Sequence, residues 1–349
     1  MRNPLISVNL LLYKPNFYLK PCLDSILAQS YDNFELLIMD NDSADGTVER
    51  VKEIIEQAQK EGQKIPFYKI IANKENLGFA GGHNLGINES KGELVAMINQ
   101  DVILDEDFLK QAAQAFDGAE GIGSAQAKIL RLKINDGNLI KTDIIDTTGL
   151  VILKNRRIIA RGQGSQDGGQ YDKPEEVFGV DGALPVYRRE ALEGAKIVIG
   201  GKKEYFDEDF FAYKEDVDLA WRMRLYGWKA VYSPGIIAWH ARTSGDSEAK
   251  NYFAVVKERL KISKFAKYLS FKNQRLMQIK NEQAPLLLKD IFYWLPKEIA
   301  SWIFVILLER YSRRAMRKLF EQAPLAMQKR KMIMSRKKIS NQEMSKWFK

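Results

Sequence analysis

The chain has 349 residues, of which 45% are hydrophobic and 28% charged, a single Cys22, and a formal net charge of +9. This composition excludes a disordered chain, and one cysteine with no Cys/His cluster around it excludes an internal disulfide and argues against a structural zinc site. The charge is split: residues 251–349 hold 23 Lys/Arg against 7 Asp/Glu, so the first 250 are mildly acidic and the tail, strongly basic, reads as a partner for a polyanion.

The opening run LISVNLLLY lacks a cationic leader and a small-residue cleavage site and reads as a buried strand, which gives a cytoplasmic expectation. Further apolar runs follow at FELLIMD, PFYKIIA and ELVAMIN, and helix-like segments FYLKPCLDSILAQS, GTVERVKEIIEQAQK and GHNLGINES separate them. This βαβαβαβ rhythm predicts an α/β fold with a parallel sheet covered on both faces. Ligands of such sheets bind beyond the carboxyl ends of the strands, which directs attention to Tyr13, Asp40-Asn41-Asp42, Asn73 to Gly82 and Asn99-Gln100-Asp101. Residues 131–180, rich in Gly, Thr and Asp, read as irregular β structure, and the polar run ARTSGDSEAKN after His240 reads as a boundary.

Dehydrogenase and NTPase readings fail on spacing. The first strand is followed by KPNFYLKP and not by a glycine-rich turn, and IGGKKE at 199–204 lacks the spacing and the hydroxyl residue of a phosphate-binding loop. The stretch NLGFAGGHNLG (76–86) places four glycines between a strand and a helix, where backbone approaches a ligand closely and free N–H groups meet its oxygens; a tight turn without a ligand is the competing reading. The segment YFDEDFFAYKEDVDLAWRMR (205–224) packs six carboxylates among six aromatic rings, which the competing reading makes a solvated helix face.

Six stretches together resemble the family-2 glycosyltransferases of the GT-A type, in particular the rhamnosyltransferase-like group. They are QSYDNFELLIMDNDSADGT, NKENLGFAGGHNLGI, AMINQDV, VDGALPVYRREAL, FDEDFFAYKEDVDLAWRMR and WKAVYSPGIIAWH, and they run in the family's order. The resemblance implies a GT-A nucleotide-sugar-binding domain over residues 1–245 with a mostly parallel central sheet, followed by a basic helical region over 246–349. It implies a dTDP- or UDP-sugar donor, with Asp40 on the base, Tyr13 near the ring, and Asn76 to Gly78 lining it. The family's D-x-D appears as Asn99-Gln100-Asp101, so Asp101 is the expected Mg²⁺ or Mn²⁺ ligand, with Asn99 a helper toward ribose or water and His240 a second ligand. His83 is left open, with the diphosphate as a candidate partner.

By the same resemblance the Glu215-Asp216 pair supplies the base. Asp216 is the first choice, Glu215 its rival, and Asp218 structural; the first turn of a helix is expected to hold these carboxylates ionised. One base and no separate nucleophile imply inversion at the anomeric carbon, and Asp181 and Gly182 are expected on the acceptor side, where a glycan or lipid-linked acceptor binds. Asp42, Ser43 and Asp45 fit helix capping instead. A sugar-nucleotide-binding protein without catalysis and a nucleotidyltransferase are the alternatives.

In the tail, LLLKDIFYWLPKEIASWIFVILLER (286–310) carries charges that leave IASWIFVILL as its longest clean run, too short to span a bilayer. Its Trp-containing segments, flanked by RYSRRAMRK and KRKMIMSRKK, read as helices lying on an anionic leaflet at the inner face of the cell membrane. A helical oligomerisation element is the competing reading, and nucleic acid is not expected because no reader motif accompanies the charge.

Overall fold

A computed structural model describes residues 3–118, 120–242 and 252–349. The boundary expected at residue 245/246 lies outside the described residues. Strands β1 (Ile6–Leu12), β2 (Phe34–Asp40), β3 (Phe67–Ala72) and β4 (Leu94–Asn99) alternate with helices α1 (Leu19–Leu27), α2 (Thr47–Lys60) and α3 (Gly78–Glu89), as the rhythm predicts. After the short β5 (Val102–Leu104) and α4 (Phe108–Ala115) comes a long hairpin of β6 (Ile122–Asn135) and β7 (Asn138–Thr147). The pairs β8 (Leu150–Ile152) with β9 (Ile158–Ala160), and β10 (Glu175–Val177), then lead to β11 (Val186–Arg188) and α5 (Arg189–Ala195). The small hairpin of β12 (Ile197–Ile199) and β13 (Lys202–Glu204), then α6 (Glu215–Leu225) and β14 (Lys229–His240), complete this part.

The central sheet runs β10-β14-β6-β11-β4-β1-β2-β3, with β5 added beside β14 and β7 beside β6. Strands β3, β2, β1 and β4 are parallel, and the β1–β2 register pairs Leu12 with Asp40 while β1–β4 pairs Leu11 with Asn99, so their carboxyl ends form one edge. Beyond β4 the sheet is mixed: β11 is antiparallel to both neighbours, and β14 is parallel to β6. The alternation along β4 shows how both faces are covered. Leu94, Ala96 and Ile98 join the core under α1, α2 and α4, whereas Val95 and Met97 join the core under α3, α5 and α6. One strand departs from the expected double cover: β3 is the edge, and Phe67 and Tyr68 on it are exposed.

The C-terminal region is helical: α7 (Tyr252–Lys261), α8 (Lys264–Asn281), α9 (Ala284–Lys289), α10 (Ile291–Leu307), α11 (Arg313–Ser335) and α12 (Asn341–Ser345). It is not a separate electrostatic object. Leu276, Met277, Leu319, Ile333 and Phe348 share one core with Trp221 and Phe206. The basic segment KNQRLMQIKNE lies mostly on α8, whose Lys272, Asn273, Arg275, Lys280 and Asn281 are all buried. Lys280 Nζ bonds Asp207 and sits 2.9 Å from Asp218 Oδ2, and Lys329 Nζ of α11 meets Asp207 at 2.5 Å, Asp209 at 3.0 Å and Glu204 at 3.1 Å. The carboxylates Asp207 and Asp209 therefore face lysines from the tail and not a ligand pocket, and the solvated-face reading of the segment falls with them.

Removing one partner from a buried ion pair leaves the other charge uncompensated, a loss of about 3 kcal/mol or more. Lys280→Ala should accordingly lower unfolding free energy by about 3 kcal/mol in urea titration. A loss below about 0.5 kcal/mol, the size of an exposed pair, would show that the cluster is hydrated.

Candidate active site

At the carboxyl edge of the sheet, Asn41 is the organising side chain. It is buried, its Oδ1 accepts from Asn73 Nδ2 (3.0 Å) and Leu77 N–H (3.1 Å), and its Nδ2 donates to Asn76 Oδ1 (2.9 Å) and the Gly78 carbonyl (3.0 Å). The amide thereby ties the ends of β2 and β3 to the start of α3. Asp40 beside it accepts one N–H, from Ser43 at 3.3 Å, and its other oxygen is buried without a protein partner among the described residues. A buried carboxylate oxygen left open at a strand end suits a donor N–H from a ligand. Asp45 takes the Thr47 N–H at 3.1 Å in a turn one residue ahead of the N-cap Gly46, so it leads into α2 without capping it, and Tyr13 is exposed, its backbone held in both directions by the Gln100 amide.

The glycine-rich stretch behaves differently from the ligand-cradle reading. The helix α3 begins at Gly78, so most of the stretch is helix. A Cβ on Gly82 would lie 2.5 Å from Leu11 Cδ1, and one on Gly86 would lie 2.6 Å from Met39 Cε, so these glycines let α3 press onto β1 and β2. The N-terminus of α3 is already used, since Ala80 N–H donates to the Phe211 carbonyl at 3.0 Å and Gly78 N–H to Asn76 Oδ1 at 2.8 Å. His83 is corrected too. It is fully buried against Phe79, and burial pushes its imidazole down to about 3, which makes it a neutral core residue and not a diphosphate contact.

A cleft of about 380 Å³ gathers Asn99, Asp101, Asp181, Gly182, Glu215, Asp216 and His240 on its walls, with the β8–β9 hairpin forming another side. Tyr13, Asp40, Asn76 and Gly78 stand on the same sheet edge but outside the walls of this cleft. A polar chain runs along it. His240 Nε2 lies 3.5 Å from Asp101 Oδ1, His240 Nδ1 lies 2.9 Å from Asp146 Oδ2, and Arg242 Nε donates to Asp146 Oδ1 at 2.6 Å and reaches Asp181 at 3.4 Å. Burial alone would lower the imidazole of His240, but Asp101 and Asp146 raise it to about 10; burial would raise Asp146, but His240 and Arg242 hold it down to about 2. Once a bound cation displaces the proton from His240 Nε2, a carboxylate and an imidazole facing one cleft, with a second carboxylate fixing the ring from behind, would offer two donors to a divalent ion. Among the described residues no group of three His, Cys, Asp or Glu side chains assembles for a metal, so substrate oxygens or water would have to complete it.

Asp146 and Arg242 escaped the sequence reading. Asp146 is 94 positions from His240, and only the β6–β7 hairpin laid beside β14 brings the two together. The extra acidic residue in DTTG was the one available signal.

Asp216 opens α6. Its Oδ2 accepts from Gly182 N–H at 3.0 Å and its Oδ1 from Val217 N–H at 2.8 Å; a Cβ on Gly182 would lie 3.2 Å from the Asp216 Cβ, so only glycine brings that N–H close without crowding. The helix start does not hold the proton affinity of these acids down. Burial, then Asp181, raises Asp216 to about 6, and burial, then Asp216, pushes Glu215 well above the usual carboxylate range. Desolvation outweighs the partial charge of the helix end. Helix α6 is enclosed on all sides: every residue from Val217 to Leu225 is buried, and Asp218 turns to Arg222, Lys280 and Asn281, a structural setting.

The loop before α6 is held from the tail. Phe211, Tyr213 and Lys214 all have positive φ, and Asn273 Nδ2 of α8 donates to the carbonyls of Phe210, Ala212 and Tyr213 at 2.7–2.9 Å. Each carbonyl left without a donor costs about 1–3 kcal/mol when buried. Asn273→Leu should therefore loosen residues 211–214, read as faster amide hydrogen exchange confined to that loop and the first turn of α6; unchanged protection would show that Asn273 is dispensable there.

The model of glycosyl transferase family 2 matches residues 13–195, just over half of the chain. Among curated proteins, a putative glycosyltransferase EpsH of Bacillus subtilis is 24% identical over 217 residues, 61% of this chain and 56% of its own length. Poly-beta-1,6-N-acetyl-D-glucosamine synthase of Staphylococcus aureus is 23% identical over 235 residues, 67% of this chain and 49% of its own length, so the chain spans about half of these relatives. The mannosyltransferase PcManGT of Pyrobaculum calidifontis, solved with GDP-Man and Mn2+, superposes with a TM-score of 0.53 at 16% identity, covering 96% of this chain and 86% of that one. Residues 1–349 of S. aureus TarS, solved with UDP-GlcNAc, superpose with a TM-score of 0.52 at 14% identity, covering 95% and 90%. At such identities the superpositions establish a shared GT-A fold.

Proposed function

The chain belongs to glycosyl transferase family 2, and from that premise we propose that it transfers a sugar, with inversion, from a nucleotide diphosphate donor to a hydroxyl of a glycan or lipid-linked acceptor. The observation that carries the reading is the convergence in one cleft of a half-buried Asp216, raised to about 6, with the Asp101–His240 pair. A dTDP- or UDP-linked hexose such as rhamnose is the donor class we favour, the open Asp40 oxygen serving the base.

In this mechanism Asp216 takes the proton of the acceptor hydroxyl as that oxygen attacks the anomeric carbon. The bond from that carbon to the diphosphate breaks, and its electron pair leaves on the diphosphate. Asp101 and His240 would hold Mg²⁺ or Mn²⁺, which supplies positive charge to the departing diphosphate. Arg242 holds Asp146 and Asp181 in place, and Gly182 N–H fixes the base. A carboxyl near 6 is a stronger base than an ordinary aspartate yet still ionised at pH 7. Glu215, pushed well above the usual carboxylate range by burial and then by Asp216, is the poorer candidate.

A panel of nucleotide sugars, read by nucleoside diphosphate release, identifies the donor. Asp216→Asn should reduce transfer by roughly 10²–10⁴-fold while donor affinity stays near wild type, because the base acts in the transition state. Near-normal turnover would hand the role to Glu215 or sink the mechanism. The ionised form is the active one, so kcat/KM should fall on the acid side of about pH 6, the value to which Asp216 is raised. A profile flat from pH 5 to 8 would count against a base of this kind. Asp101→Ala should lower the response to added Mn²⁺, and full activity in excess EDTA would remove the metal from the scheme.

A further inference from the structure

Helix α10 has two unlike faces. Trp294, Glu298, Trp302 and Val305 turn inward, where Glu298 meets Arg275 at 2.7 Å and Trp302 packs edge-to-face with Phe271, centroids 5.2 Å apart. On the opposite face Phe292, Leu295, Ile299, Ile303 and Ile306 form a stripe along the whole helix, 88% exposed at Phe292 and 51% at Ile303. Leu288, Leu307 and Leu308 extend it at both ends. Isolated exposed apolar residues are ordinary, but a contiguous stripe this long marks a contact surface.

Charge decides what the surface meets. The acids of this region are committed inward: Asp290 to Arg156 at 2.6 Å, Glu298 to Arg275, and Glu309 to Arg259 at 2.6 Å. Arg310, Arg313, Arg314, Arg317 and Lys318 at the elbow with α11 are exposed, with Glu321 the acid paired to the last two. Among the described residues no single helix is long and apolar enough to cross a membrane; α10 and α11 reach that length and hydropathy only together, across a bend of 105°.

We propose that the outer face of α10, with the arginines of the α10–α11 elbow, is a docking surface for an anionic lipid bilayer. The apolar stripe enters the interface while the cations meet the phosphate layer. A second copy of the chain fits less well, since a pairing that set the two cationic elbows side by side would have only Glu321 of each, already paired with Arg317 and Lys318, to answer them. A lipid-linked acceptor for the cleft would be presented at such a bilayer. That consequence rests on the proposed transfer reaction; the docking itself does not.

The test is co-sedimentation of the full chain with phosphatidylcholine vesicles, with and without phosphatidylglycerol. Binding is expected only where phosphatidylglycerol is present, weakened in part by high salt. The pair Phe292→Asp and Ile303→Asp should lower the partition coefficient by about tenfold or more, and Arg310→Glu with Arg314→Glu should remove the dependence on phosphatidylglycerol. Both pairs sit on exposed positions, and thermal melts check that they fold. Absence of binding, equal binding to neutral vesicles, or a dimer in light scattering that the α10 variants dissolve would overturn the proposal. Nucleoside diphosphate release from donor sugars without vesicles is read separately, so failure of docking and failure of glycosyl transfer are distinguishable.

Discussion

Two buried ammonium groups set the terms for the rest of the molecule. Lys280 and Lys329 come from the C-terminal helices and neutralise Asp207, Asp218, Asp209 and Glu204 inside the core. A helix turns 100° per residue, so Asp216 and Asp218, two positions apart, point to nearly opposite sides of α6. One side meets α8 and is charge-compensated; the other meets the cleft and is not. The partition of the acidic segment between structure and chemistry follows from that rotation, and the C-terminal helices complete it.

The parts of this arrangement written in local pattern were legible beforehand. Strand ends at Asp40 and Asn99, the helix start at Glu215 and the strand end at His240 follow from apolar runs and flanking motifs, and all lie where the resemblance puts them. What failed to show depends on contacts between distant segments. Asp146 reaches His240 only because β14 lies beside β6 and β6 carries β7. The glycines of α3 looked like a ligand loop because glycine spacing does not tell a close ligand from a close strand; Leu11 and Met39 are what they approach. A net charge count likewise cannot tell an inward lysine from an outward arginine, and the tail has both.

The electrostatics of Asp216 depend on a contest that sequence does not weigh. The first turn of a helix favours a carboxylate, typically by 0.3–1 kcal/mol at an exposed site. Removing the carboxyl from water and setting Asp181 beside it act in the other direction and are larger here, leaving Asp216 at about 6. Asp146 shows the opposite outcome in the same cleft, because His240 and Arg242 outweigh its burial. Neighbouring acids are thus driven apart in proton affinity by which of them has a cation in contact.

Position of the base is maintained against strain. Left-handed backbone at non-glycine residues costs roughly 1–2 kcal/mol each, and Phe211, Tyr213 and Lys214 adopt it in a span of four. Such a segment persists only when its surroundings over-determine it. Those surroundings are the Asn273 amide, the Ala80 N–H on the Phe211 carbonyl, and the packing of Phe211 on Phe265 at 5.8 Å. Two of the three come from α8, some 50 to 60 residues downstream of the loop in the chain. The carboxylate at the start of α6 is therefore aimed by a helix that contributes no acid to the cleft, and the geometry of the proposed base and the packing of the basic region are one structural problem.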